Sequence, residues 1–172
     1  HQGGRTVKIL ALESSATACS AALWEDGAPL AQSWQNSGLT HSCTLLPMVD
    51  DMLKSCGEKL EDVDVVAVAA GPGSFTGLRI GVATAKGLAW PQDKPCAPCS
   101  TLESMAWPLA HLEDTVIVCA MDARRKQVYN ARFLAHNGKL DRRSEDRAIG
   151  VDELLDEGLH SGKTQSLVGD GA

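Results

Sequence analysis

Two histidines one helical turn apart, as in His-x-x-x-His, would present both imidazoles to a single metal ion. None of the five histidines has such a partner: His41, at the entry to a helical pattern, is followed one turn later by Leu45. A catalytic metal site is therefore not expected. Cys96-Ala97-Pro98-Cys99 is a C-x-x-C pair with an internal proline just ahead of a helix start, a pattern that serves thiol–disulfide exchange when it opens a helix. The simpler reading is two small residues at a strand end, and no second ligand pair accompanies them to build a zinc site. Gly71-Pro72-Gly73-Ser74-Phe75-Thr76-Gly77 is a glycine-rich loop meeting a helix, where free N–H groups can hold phosphate. No Gly-Lys-Ser/Thr follows it, so it is not a Walker loop, and as a bare pattern it is weak evidence for nucleotide, a purely structural turn being the commoner case. Arg124-Arg125-Lys126 is the longest basic cluster, with Arg142-Arg143 in a later mixed-charge stretch. On a chain of net charge −6 these are thin for gripping nucleic acid unaided. The turn at 124–126 reads as solvated, within reach of RNA or a partner only in a complex.

The elements that must position these residues follow from patterning. The chain has 172 residues, 44% hydrophobic but only 4% aromatic, so its core must rely on Ala, Val, Leu and Ile. It holds no run of 18 apolar residues to span a membrane, and His1-Gln2-Gly3-Gly4 lacks the apolar stretch of a signal peptide. A soluble, cytoplasmic protein is expected, with its six cysteines as reduced thiols. Val7 to Leu12 and Ser20 to Trp24 read as strands, with a hairpin at Asp26-Gly27 leading to Leu30–Gln35. Leu45, Leu46, Val49, Met52, Leu53 and Cys56 then recur at helical spacing, capped by Gly57, with Pro47 tolerable only near the helix start. Val63 to Ala70 reads as a strand covered on both faces. A helix over 76–89 and a short extended piece at Pro95–Pro98 follow.

Ser100-Thr101-Leu102-Glu103 fits a capping box opening a connecting helix. Thr115 to Met121, Gln127 to Leu134 and a strand after Asn137-Gly138 come next, then a short acidic helix at Val151–Glu157 and a strand at Gln165–Val168. The order is βββαβα, a connecting helix, then βββαβ. The second half repeats the first but lacks a helix after Gly169-Asp170-Gly171. Such duplication is characteristic of the actin-like ATPase (ribonuclease H-like, ASKHA) architecture, an α/β fold. Boundaries are expected at residues 5–100 and 101–172.

The helix over 76–89 holds three glycines, each costing about 1 kcal/mol against alanine. Gly77, Gly81 and Ala85, spaced i, i+4, i+8, form a smooth ridge that lets another element approach closely. That element is the chain's own first helix or sheet, or a partner as well, and the two readings are compatible.

Gly71-Pro72-Gly73-Ser74-Phe75-Thr76-Gly77-Leu78-Arg79-Ile80-Gly81 resembles the signature segment of the TsaB family, paralogues of the threonylcarbamoyl transferase TsaD. Leu10-Ala11-Leu12-Glu13-Ser14-Ser15, the stretch His41–Asp50 with Leu45-Leu46-Pro47, and Asp122-Ala123-Arg124-Arg125 with Val128-Tyr129 resemble three further family segments. The resemblance covers most of the chain and implies two βββαβα-type subdomains of the actin-like fold, the second incomplete. It implies a non-catalytic subunit that pairs with a TsaD-like paralogue and, with a TsaE-like ATPase, serves formation of N6-threonylcarbamoyladenosine in tRNA next to the anticodon. It further implies self-pairing in their absence, tRNA contact only through the complex, and no protease activity despite an older glycoprotease label. The pairing surface it implies comes from the first two helices: Leu45, Val49, Met52, Leu53, Gly77, Leu78, Gly81 and Ala85.

An actin-like ATPase needs a first strand ending in Asp with a glycine nearby, so that phosphates can approach the backbone. Here Glu13 is followed by Ser14 and Ser15. With Asp122 at the second-half strand end, these outline at most a remnant nucleotide cleft able to hold nucleotide weakly, and no cofactor is expected. Two rivals stand beside this reading. One is a thiol–disulfide protein using Cys96 and Cys99. The other is an active small-molecule kinase of the same fold using Glu13 and Asp122, for which the chain is short and the first phosphate turn altered.

Overall fold

The computed structural model describes residues 4–172; of the N-terminal tetrapeptide, residues 1–3 lie outside the described residues. The chain forms two units, the first running to residue 70 and resuming at 74–99, the second comprising 71–73 and 100–172.

In the first unit β1 (Lys8–Glu13), β2 (Cys19–Glu25) and β3 (Ala28–Gln35) form an antiparallel meander. Asp26 and Gly27 take φ of 49° and 82°, the left-handed pair that a two-residue hairpin turn requires. After α1 (His41–Ser55), β4 (Val65–Gly71) returns parallel to β1, followed by α2 (Phe75–Ala89) and β5 (Cys96–Ser100). The sheet order is β3-β2-β1-β4-β5. Leu10, Leu12, Leu23, Val66 and Val68 project from the sheet into one core, met by Leu45, Val49 and Met52 of α1 and Ala85 and Ala89 of α2. Each large side chain buried there contributes roughly 1.5–3 kcal/mol.

Both helices share that one core, so β4 is not covered on both faces as its apolar run suggests. Val66 is fully buried, while Val65 is only partly so and its β1 neighbour Ile9 is 36% exposed. Helix α1 also starts a turn earlier than its apolar periodicity indicates. Pro47 is therefore its seventh residue, in the interior, where it removes a backbone bond. The C-terminus closes as expected: Gly57 (φ 72°) donates to the Lys54 carbonyl and Glu58 to that of Leu53, the two bonds of a Schellman cap.

The second unit contains α3 (Thr101–Ala106), β6 (Thr115–Asp122), β7 (Gln127–His136), β8 (Lys139–Arg142), β9 (Arg147–Gly150), α4 (Val151–Leu159) and β10 (Thr164–Val168). Only half of the anticipated capping box forms. Ser100 Oγ accepts from Glu103 N at 3.2 Å, but the Glu103 carboxylate lies 3.6 Å from the Arg142 guanidinium instead of returning to Ser100 N. Strand β9 is not anticipated by the sequence. β8 pairs with residues 133–136 of β7 and β9 with residues 127–130, so the two are one edge strand broken at 143–146. At the break, Arg143 N donates to the Arg132 carbonyl and Ser144 Oγ accepts from Arg132 N, so a side chain replaces a rung of the ladder.

With that strand counted once, the second unit repeats the first. Its leading strand β6 runs antiparallel to β7 and parallel to β10, as β1 does to β2 and β4. Asn137 and Gly138 form the expected turn, with φ of 53° and 69°. The β6–β7 turn is less ordinary. Arg124, Arg125 and Lys126 take φ of 65°, 52° and 60° in succession, a left-handed stretch costing roughly 1–2 kcal/mol per residue. It is held by Asp122 Oδ1, which accepts from Arg124 N at 2.8 Å, and by Gln127 N, which donates to the Arg124 carbonyl.

Arg125→Gly is expected to stabilise the chain by about 1 kcal/mol, raising the melting midpoint by roughly 2–4 °C, checked by thermal denaturation. A second expectation concerns acid. Arg147, donating both guanidinium arms to Glu157, holds that carboxyl below its ordinary value, aided by Arg132 at 3.7 Å. A depressed folded pKa contributes stability that is full above the unfolded value of 4.5 and is lost as pH falls through the folded one. Glu157→Gln should therefore shallow the loss of stability below about pH 4.5, read from urea melts across that range.

Candidate functional site

Glu13, Ser14 and Ser15 form a closed turn at the end of β1. The Glu13 carboxylate accepts from Ser15 N at 2.6 Å and from Ser15 Oγ, and so is engaged by its own turn. Ser14 and Ser15 are 0% and 1% exposed. Ser14 Oγ donates to the Gly77 carbonyl at 2.8 Å, and the Ser15 carbonyl accepts from Ser74 N at 2.7 Å. Ser74 Oγ in turn caps α2 by accepting from Gly77 N. His41 Nε2 lies 2.7 Å from the Ala16 carbonyl, which makes this histidine a helix-entry clamp. The turn, the α1 entry and the α2 N-terminus are thereby tied together.

This knot accounts for two of the three glycines. A Cβ on Gly77 would enter the Ser14 carbonyl oxygen, and one on Gly81 the Ser14 hydroxyl, both well inside the 3.0 Å that real Cβ atoms respect. Gly77, Gly81 and Ala85 therefore face the unit's own interior. Leu45, Val49, Met52 and Leu53 are likewise buried, none more than 7% exposed, and Leu78 is half-buried. The ridge of Gly77, Gly81 and Ala85 thus makes the internal contact that was one of its two compatible readings, because β1 and its turn need that close approach. Gly87 is different. A Cβ there meets nothing, so its helix-propensity cost has no internal compensation.

The apolar surface that α1 does present lies one residue along. Leu46 is 51% exposed, beside Pro47. A groove of about 490 Å³ runs between Leu46, Pro47, Leu60 and Leu88, with Val49 and Leu53 at its wall. On the other flank of α1 a second groove of about 460 Å³ is lined by Trp34, Leu39, Pro47 and Met48. Trp34, Leu39 and Phe75 are 68%, 65% and 73% exposed. Sequence reasoning missed Leu46 as a surface residue because its apolar character fits the helical stripe equally well.

The remaining candidates separate. Asp122, in the second unit, is exposed; its backbone N–H donates to the Asp170 carboxylate at 2.9 Å, and its own carboxylate accepts from Arg124 N, holding the 124–126 turn. Cys96 and Cys99 lie three apart on β5, and the alternation of a strand sends such side chains to opposite faces, unlike a redox pair at a helix start. Burial pushes the Cys119 thiol up to about 12, leaving it an inert core group. Among the described residues, Glu113, Asp114 and His136 bring ligand-type atoms within 4.8 Å of one another, all exposed, with His136 Nδ1 bonded to Glu113 and 3.2 Å from Asp114.

Paired sheets with this shared topology define an actin-like ATPase-type fold. Residues 36–169 match the family model of TsaD, tRNA N6-adenosine threonylcarbamoyltransferase. The chain is 36% identical over 152 residues to the tRNA threonylcarbamoyladenosine biosynthesis protein TsaB of Escherichia coli, covering 88% of this chain and 65% of that protein. It is 30% identical over 167 residues to the TsaB of Buchnera aphidicola from Schizaphis graminum, covering 95% of this chain and 78% of that protein. The structure of YeaZ from Pseudomonas aeruginosa superposes with a TM-score of 0.80 at 26% identity, covering 95% of this chain and 84% of that one. The chain belongs to the TsaB family of tRNA threonylcarbamoyladenosine biosynthesis proteins, within the wider TsaD family. It spans 65% of the length of its Escherichia coli relative.

The Ser14 contact sets a stability test. Gly81→Ala is expected to cost several kcal/mol, on the order of 2–4, and Ser14→Ala about 1. The double variant should be less destabilised than the sum, because the methyl then fills the space of the lost hydroxyl, and a urea-melt cycle measures that coupling.

Proposed function

We propose that this chain is a non-catalytic scaffold subunit for forming N6-threonylcarbamoyladenosine in tRNA, pairing through α1 and the outer side of α2 with a TsaD-like paralogue. A TsaE-like ATPase completes the set, and self-pairing through the same surface occurs in their absence. The observation that carries this reading is the exposed apolar strip of Leu46 and Pro47 with the groove walled by Leu60 and Leu88. Such a strip on an acidic chain needs a cover, and a paralogue of the same fold offers a helix pair to supply it. Gly87, uncompensated within the chain, permits the close helix approach that pairing requires.

The site chemistry supports the absence of catalysis. In the first unit a phosphate would meet two buried serines where open backbone is needed, and Glu13 is already hydrogen-bonded within its turn. Nucleotide binding, if retained, is then weak, and the transfer chemistry belongs to the paralogue. The geometry of β5 also counts against the thiol–disulfide reading.

Leu46→Glu tests the proposal, since the side chain is exposed and the fold should tolerate it. Light scattering of the variant mixed with the TsaD-like paralogue of the same cell should show loss of the heteromer, with affinity falling at least ~10-fold and the melting midpoint unchanged. Wild-type pairing by that variant would remove α1 from the interface.

A further inference from the structure

A groove of about 500 Å³ in the second unit gathers positive charge on a chain whose net charge is −6. Arg132 of β7, Arg143 at the broken edge strand, Arg147 of β9 and Lys163 before β10 all line it, against one carboxylate, Glu157 of α4. The local excess is three positive charges. The four cations come from three stretches of chain, with Arg143 and Arg147 sharing the broken edge strand, and only the fold gathers them with Arg132 and Lys163.

The cations fall into two kinds. Arg147 is oriented from below: its Nε donates to Asn130 Oδ1 at 3.1 Å, and its terminal nitrogens donate to Glu157. Asn130 is fully buried and anchored by donating to the Cys119 carbonyl at 2.8 Å. Arg132 stands 3.7 Å from the same Glu157. Arg143 and Lys163 at the rim have no carboxylate within ion-pair distance among the described residues. An arrangement of two oriented guanidiniums and two unneutralised rim cations attracts anions; a purely structural network would have been neutralised.

We propose that this groove seats the phosphodiester backbone of RNA. Its walls supply charge and the short apolar contacts of Val116 and Leu134, but no aromatic side chain on which a base or nucleoside could stack. No glycine loop lines it to cradle a compact polyphosphate with backbone N–H groups. Contacts of this kind position an RNA without reading its sequence. That the RNA is a tRNA rests on the function proposed above; the charge geometry does not.

The test uses a fluorescein-labelled RNA stem-loop of about 17 nucleotides, titrated by anisotropy into the full chain alone and into the chain mixed with its TsaD-like paralogue. The double variant R143E/K163E should bind at least ~10-fold more weakly in whichever state wild type binds best, and its log–log salt slope should fall by about 1.5, as expected for two lost phosphate contacts. The conservative R143K/K163R should retain binding, and both variants should keep the wild-type melting curve and heteromer mass. Unchanged RNA affinity in R143E/K163E overturns the proposal, as does absence of wild-type binding in both states. Displacement of the RNA by inorganic phosphate at equal phosphate concentration also overturns it, marking a small-anion site. RNA binding through the groove without any heteromer would instead refute the scaffold function and leave the groove standing.

Discussion

The turn after β1 lies so close to α2 that Gly77 and Gly81 are its contact surface, and the first unit is organised around that approach. Ser14 supplies both the carbonyl and the hydroxyl that occupy the space a methyl would need. The same hydroxyl then donates to Gly77, so the contact is hydrogen-bonded as well as tight. Ser15 and Ala16 extend it by accepting from Ser74 and meeting His41. Gly77 in the first turn and Gly81 in the second would otherwise weaken α2 by up to about 2 kcal/mol. Here they remove the distance between helix and strand end, and the core of Leu10, Leu12 and Val68 closes above them.

That packing has a chemical consequence. A phosphate-binding turn needs backbone N–H groups bare of side chains, and Ser14 and Ser15 put buried hydroxyls there instead. Rebuilding a phosphate site would mean shortening those side chains, which would open a hole against α2. Tight packing and nucleotide binding thus compete for one place. The proposed scaffold role is the outcome in which packing prevails, with Glu13 turned inward to serve the turn.

Much of the architecture was legible because its signals are local. Asp26-Gly27 and Asn137-Gly138 can hardly be anything but left-handed turns, and the strands they join alternate as their burial does. The doubled order of elements followed from those turns and from the helical spacing of Leu45, Val49 and Met52. The broken edge strand was hidden, because residues 143–146 carry no glycine or proline and are set off only by Ser144 bonding to Arg132. The exposed apolar strip of α1 was hidden for a related reason. Periodicity tells that Leu45 and Leu46 belong to an apolar stripe, but which of them looks inward depends on how α1 rolls on β2 and β3, a tertiary matter. The glycine ridge showed that something approaches closely; only coordinates could say that it is Ser14.

Placing an apolar strip on one unit and a cationic groove on the other suits the two proposed partners, whose demands conflict. A protein interface centred on Leu46 gains by excluding water and charge, and a lysine there would have to be desolvated without a partner. An RNA backbone needs unneutralised cations in reach of solvent, where counterion release supplies the driving force. The net charge of −6 adds a constraint on the second. Beyond a Debye length of about 8 Å the chain presents itself to RNA as a weak anion, so long-range steering works against capture. Attraction begins only where Arg143 and Lys163 dominate the local field. Capture of RNA by the proposed groove therefore rests on the short-range field of those two cations, which a neighbouring chain in the proposed assembly can add to.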